Sequence, residues 1–126
     1  VPDVFVDPDR TKEAIMNIIT NSIQALQGTG TITVRTYADG DDAVLEVRDT
    51  GKGIPAAEMS SIFNPFFTTK AAGTGLGLAI AKHIVLAHDG EIDAESEGVG
   101  RGATFWFLLP LVQPRARWLG YTGPAQ

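Results

Sequence analysis

The sequence predicts a two-layer α/β sandwich of the α+β kind, a mostly antiparallel sheet with helices on one face. Two observations predict it. Apolar residues recur at helical spacing in two long segments and alternate in several short ones. The order of segments reads β-α-β-β-α-α-β-β, so hairpins and helices are segregated. A chain of 126 residues with 44% hydrophobic and 20% charged residues suits one globular domain with a real core.

Val4-Phe5-Val6 is a short strand candidate. Asp7-Pro8 then places an N-cap before proline at the first helical position. Ala14, Ile15, Ile18, Ile19, Ser22 and Leu26 recur on one side of the helix that follows, and Gly28-Thr29-Gly30 ends it. Residues 31–37 and 43–49 alternate as strands around the turn Asp39-Gly40-Asp41-Asp42, which makes them a hairpin. Residues 56–62 carry a weak signal for a short helix. Residues 76–87 form a second long helix, with Leu76, Ile80, Ile84 and Val85 on one side. Asp89-Gly90 turns into a strand over 91–97, and Gly98 to Gly102 turns into another over 103–109, ended by Pro110. The expected domain is therefore 1–110. Residues 111–126 lack periodicity and read as a flexible tail or linker.

Composition removes several classes of function. The net charge of −5 argues against non-specific binding to nucleic acid. With no cysteine there is no disulfide, thiolate metal site or cysteine nucleophile. The longest apolar stretch, residues 103–109, is far below the ~18–20 residues of a membrane span. The N-terminus lacks the basic and apolar regions of a signal peptide. The expectation is a cytoplasmic domain without direct membrane contact; a membrane anchor of a parent protein would lie outside it.

The run Gly73-Thr74-Gly75-Leu76-Gly77-Leu78, with Lys70 before it and an apolar helix after it, suggests a phosphate cradle. Such a backbone can turn N–H groups onto an anion, and the helix adds its positive end. The same run also fits a flexible turn. Its spacing meets neither the Walker loop nor the dinucleotide fingerprint. Asn17 and Asn21 lie one turn apart on the first helix. Each costs roughly 0.5 kcal/mol against alanine there. They read either as half-buried amides bonded to backbone or as hard oxygen ligands for Mg²⁺. Asp49 shares a strand face with Leu45 and Val47, so it points inward. It either starts an Asx-turn or accepts a hydrogen bond from a ligand amine beside Gly51, Gly53 and Ile54. Phe63-Asn64-Pro65-Phe66-Phe67 is either a satellite core cluster or the anchor of a lid closing through Lys70 to Gly75. Thr104 reads as an ordinary strand residue on its own. His83 and His88 read as exposed or helix-end histidines.

In this order the motifs resemble one family: the ATP-binding catalytic domain of sensor histidine kinases, within the group that includes gyrase-type and heat-shock-chaperone ATPases. Asn17-Ile18-Ile19-Thr20-Asn21-Ser22 resembles its N box and Asp49-Thr50-Gly51-Lys52-Gly53-Ile54 its first glycine box. Residues 63–67 resemble its F box, and Gly73 to Leu78 its second glycine box. Gly102-Ala103-Thr104-Phe105 also fits. Phe66-Phe67-Thr68-Thr69-Lys70 and Gln24-Ala25-Leu26 look most like the nitrogen-regulation type. The resemblance implies the Bergerat-type fold, a mixed sheet against three helices. It implies that Asp49 accepts the adenine amine and that Asn21 with Asn17 binds Mg²⁺. Lys70 and the N–H groups of Gly75, Leu76 and Gly77 would hold phosphates, with Gly73, Thr74 and Leu78 in the same run. Gly51, Gly53, Ile54 and Phe63 would complete the nucleotide site, and Thr104 would reach adenine through water.

The implied function is transfer of the ATP γ-phosphoryl to a histidine on a separate dimerisation domain of the same kinase, and onward to the receiver domain of a response regulator. No segment of this chain resembles the histidine-bearing domain. A gyrase-like ATPase would carry a glutamate where Asn17 stands, and an amide cannot take a proton from water. An anti-sigma-type serine kinase is the other alternative; the Phe-Phe-Thr-Thr-Lys segment argues against it.

Overall fold

The computed structural model describes residues 7–67 and 76–110. The expected strand at Val4–Val6, the expected lid tip and the expected tail lie outside these residues. Among the described residues there are two α-helices, α1 (Pro8–Leu26) and α2 (Gly77–Ala87). Four strands accompany them: β1 (Ile32–Asp39), β2 (Asp42–Asp49), β3 (Glu91–Glu95) and β4 (Ala103–Pro110).

Helix α1 begins where its sequence says it should. The Asp7 carboxylate accepts from the N–H groups of Asp9 at 3.0 Å and Arg10 at 3.2 Å, and Pro8 opens the first turn. The helix stops at Gln27, which is left-handed with φ 55°, and Gly28 follows with φ 120°. Its buried positions are Ala14, Ile18, Ser22 and Ala25. They fall at i, i+4, i+8 and i+11, one stripe of a 3.6-residue period.

The strands pair in the order β1-β2-β4-β3, antiparallel at every contact. The sheet is therefore not mixed among the described residues. The third helix shrinks to one 3-10 turn, Ala56–Glu58, followed by further turns. Pro55 precedes it in an extended conformation, and nothing in the next residues supplies a side-chain cap. Strand β3 ends at Glu95, two residues short of the expected limit, because Ser96 turns away to bond the following loop.

One face of the sheet is the core face. Leu45, Val47 and Asp49 of β2 lie there with Ala103, Phe105, Phe107 and Leu109 of β4, and all are buried. Helices α1 and α2 cover it and supply Ala14, Ile18, Ala81, Ile84 and Val85 to the same cluster. Burying each large side chain contributes roughly 1.5–3 kcal/mol. Among the described residues no helix is long and apolar enough to cross a membrane.

Ile18 is 0% exposed at the centre of this cluster. Ile18→Ala is expected to destabilise the domain by about 2–5 kcal/mol, because the rigid surroundings fill such a cavity only in part. A urea titration followed by circular dichroism measures it; a shift below about 1 kcal/mol would place the core elsewhere.

Candidate functional site

The site begins with the placement of one carboxylate. Strand alternation turns Asp49 to the core face, where it is 3% exposed. Its Oδ1 accepts from the N–H of Gly51 at 2.9 Å. Its Oδ2 is buried and has no hydrogen-bond partner in the structure. An unmatched buried carboxylate oxygen is costly to a fold, and such groups concentrate where a ligand completes them.

Close backbone approaches hold the carboxylate there. Gly51 packs against the Ala25 carbonyl at the end of α1, and the N–H of Lys52 donates to that same carbonyl at 2.9 Å. Gly53, with φ 72°, lies against the carbonyl of Gly98, and Gly102, with φ 70°, against that of Asp49. A Cβ at either would collide with backbone that cannot move aside.

Ser96 ties these loops together. Its hydroxyl accepts from the N–H groups of Ile54 at 3.0 Å and Gly98 at 3.2 Å and donates to the Gly102 carbonyl at 2.6 Å. Ser96 carries no signal in the sequence, since one of its partners, Ile54, lies in a loop 42 residues away.

These elements enclose a cavity of about 290 Å³. Asp49 lies on its wall with Asn21 and Ala25 from α1 and Ala103 and Phe105 from β4. Gly53, Ile54, Pro55, Glu58 and Ile62 form another side, and Leu78 of α2 closes it. The lining is mostly apolar with a few polar groups, the usual character of a small-molecule site. Beside it, α2 opens at Leu76 without a capping side chain. Its first residue, Gly77, sits next to the side chain of Asn17, whose buried Nδ2 has no partner.

Comparison with known proteins agrees with this geometry. Residues 6–113 match the family described as "Histidine kinase-, DNA gyrase B-, and HSP90-like ATPase". The chain belongs to this family.

Sensor histidine kinase ZraS of Klebsiella oxytoca is 48% identical over 109 residues, 86% of this chain and 23% of that protein. Sporulation kinase C of Bacillus subtilis is 42% identical over 105 residues, 83% of this chain and 24% of that protein. The chain thus spans about a quarter of the length of such curated relatives. Among solved structures, the mycobacterial sensor histidine kinase MprB superposes with a TM-score of 0.79 at 30% identity, covering 87% of this chain and 78% of that one. The catalytic domain of histidine kinase ThkA gives 0.77 at 35% identity, covering 86% and 70%. Within the family, the chain is of the histidine kinase catalytic-domain type.

The structure brings together some of the expected residues of this ATPase domain and separates others. Asn21, Asp49, Gly53, Ile54 and Leu78 line the cavity. Gly51 lies behind it as the support of Asp49. Leu76 and Gly77 open α2. Lys70, Gly73, Thr74 and Gly75 lie outside the described residues. Phe63 is not on the cavity wall; it packs against the core, with the Lys82 ammonium 5.7 Å from its ring centre. Thr104 alternates away from the cavity face that Ala103 and Phe105 share. It pairs with Arg48 across the sheet, and its hydroxyl accepts from Arg48 Nε at 3.4 Å. Ala103, one residue earlier, takes the cavity position. His83 is exposed and His88 buried.

Ser96→Ala removes three hydrogen bonds and leaves two backbone N–H groups to find new partners. It is expected to cost about 1–3 kcal/mol of stability and to weaken nucleotide binding, since Gly53 and Ile54 lose their anchor. Thermal unfolding and calorimetry with ATP check both. Parental values in each would remove Ser96 from the support of the site.

Proposed function

We propose that this domain binds ATP with Mg²⁺ and donates the γ-phosphoryl to a histidine on a separate dimerisation domain of its kinase. A histidine ring nitrogen attacks phosphorus, the bond to the bridging oxygen breaks, and ADP leaves. The phosphoryl then passes to an aspartate on the receiver domain of a response regulator. The observation that carries the reading is Asp49, whose buried, unpartnered Oδ2 stands on the wall of an apolar cavity. An ionised carboxylate oxygen only accepts, so it suits an exocyclic amine such as adenine presents and not a ring oxo oxygen in the same place. Support comes also from the relatives named as sensor kinases and from full-length ShkA, solved in complex with AMPPNP, which superposes with a TM-score of 0.78 at 30% identity.

Asn17 and Asn21 fit a Mg²⁺ ion. Their side-chain oxygens are hard donors one turn apart, Asn17 beside the opening turn of α2 and Asn21 on the cavity wall. Among the described residues no group of three or more His, Cys, Asp or Glu could cage a metal. Magnesium does not need one, because it keeps waters and phosphate oxygens in its shell. When bound, it would neutralise charge developing on the phosphates. We assign Lys70 and the backbone of Gly73, Thr74, Gly75, Leu76 and Gly77 to the phosphate chain on the strength of the sequence. The segments Phe66-Phe67-Thr68-Thr69-Lys70 and Gln24-Ala25-Leu26 support a likeness to the nitrogen-regulation type.

Among the described residues of α1, none beside the asparagines serves as a base for water. Asn17 is an amide. Glu13, one turn away, is exposed and paired to Arg10 at 3.1 Å. The gyrase-like alternative therefore finds no support in this site.

The test is to mix the chain with ATP, Mg²⁺ and a separately made dimerisation domain and look for phosphohistidine. Asp49→Asn is expected to leave the fold intact and weaken ATP binding by about 1–3 kcal/mol, the worth of a charge-assisted bond. Wild-type affinity by calorimetry would remove Asp49 from base recognition.

The isolated chain is expected to hydrolyse ATP below about one turnover per minute, against roughly 1–100 per second for a typical kinase acting on its substrate. A coupled ADP assay reads this rate. Fast hydrolysis that is lost in Glu13→Gln would mean a water-activating ATPase instead.

A further inference from the structure

At the ends far from the cavity, one buried side chain joins α1 to α2. His88 follows the last turn of α2 and is 6% exposed. Its Nδ1 lies 2.9 Å from the carbonyl oxygen of Ile84. Its Nε2 accepts from the backbone N–H of Asp7 at 3.0 Å, across 81 residues of chain. A carbonyl only accepts and a backbone N–H only donates. Together they select the tautomer with the proton on Nδ1.

Asp7 is the N-cap of α1. Its carboxylate takes the N–H groups of Asp9 and Arg10, and its carbonyl takes that of Thr11. The imidazole thus grips the first residue of the α1 hydrogen-bond system. At the other end of α2, Gly77 lies beside Asn17 of α1. The two helices run antiparallel, held by the His88 bond at one end and in close approach where Gly77 of α2 meets Asn17 in the middle of α1. From Asp7 to Asn17 is ten residues and from Gly77 to His88 eleven, about 15 and 16.5 Å of helix at 1.5 Å per residue. The two lengths match to about one residue, so a slip of one helix along the other would break the His88 bond and shift Asn17 from the opening turn of α2.

We propose that His88 is a positioning residue of the nucleotide site. Its ring fixes the axial register of α1 against α2 and so the placement of Asn17 and Asn21 against the phosphate end of α2. The proposal rests on the nucleotide reading of the cavity.

The experiment uses the whole 126-residue chain and two variants. His88→Leu keeps a buried side chain of similar size without ring nitrogens. His88→Gln keeps an oxygen able to accept from Asp7. Nitrogen-15 spectra of the parent are expected to show His88 protonated at Nδ1 and bare at Nε2. In His88→Leu, exchange of the Asp7 amide should speed at least tenfold, and ATP affinity should fall about fivefold, the order of one hydrogen bond. His88→Gln should recover most of both.

Parental ATP affinity in the leucine variant, unchanged Asp7 exchange, or no recovery with glutamine would overturn the proposal. Should the leucine variant fail to fold, the ring-nitrogen spectrum and the glutamine variant still decide. A parent that binds no ATP would overturn the nucleotide reading instead, and Asp7 exchange would judge the bond by itself.

Discussion

The candidate site depends on how closely backbone can approach backbone around Asp49. Gly51 lies against the end of α1, Gly53 against the 98–102 turn, and Gly102 against Asp49 itself. Each contact is closed to a Cβ atom. Together they let a carboxylate sit at the end of a buried strand with one oxygen satisfied by Gly51 and the other turned to a cavity. Any of the three glycines replaced by alanine would push apart two elements that converge on that carboxylate, and two of them carry a positive φ that a side chain strains further.

Stability and function draw on the same helices in different ways. The buried stripe of α1 fills the core through Ala14 and Ile18, while Asn17 and Asn21 flank that stripe and face α2 and the cavity. One residue of rotation, about 100°, separates packing from chemistry. The unmatched buried atoms follow this division in part. Asn17 Nδ2 and Asp49 Oδ2 adjoin the site, whereas Thr11 Oγ1 and Ser22 Oγ lie on α1, where the structure supplies no functional reason for them.

Electrostatic contributions at the surface are small by comparison. Arg10–Glu13, Arg35–Glu46 and Arg101–Glu97 are all exposed on at least one side and contribute at most about 1 kcal/mol each. The Arg35–Glu46 pair is cross-strand and is reinforced by the Tyr37 ring 4.9 Å from the guanidinium. The geometry of the site owes more to backbone hydrogen bonds and glycine contacts than to these pairs.

The limits of α1, the β1–β2 hairpin and the inward direction of Asp49 were legible in the sequence. Each follows from local rules: an aspartate cap before proline, a turn of Asp and Gly, and a period of two ending in a carboxylate. The cavity-facing residue of β4 was not. Residues 103–109 are almost continuously apolar, so no alternation marks which side faces the core, and pairing with β2 decides for Ala103 over Thr104. Phe63 likewise took a core position under Lys82, since an aromatic residue in a loop carries no signal of which surface it will cover. Ser96 and His88 belonged to tertiary structure alone. Their partners lie in segments that only the folded sheet and the paired helices bring within 3 Å or so, and no local pattern encodes a bond between residues 81 positions apart.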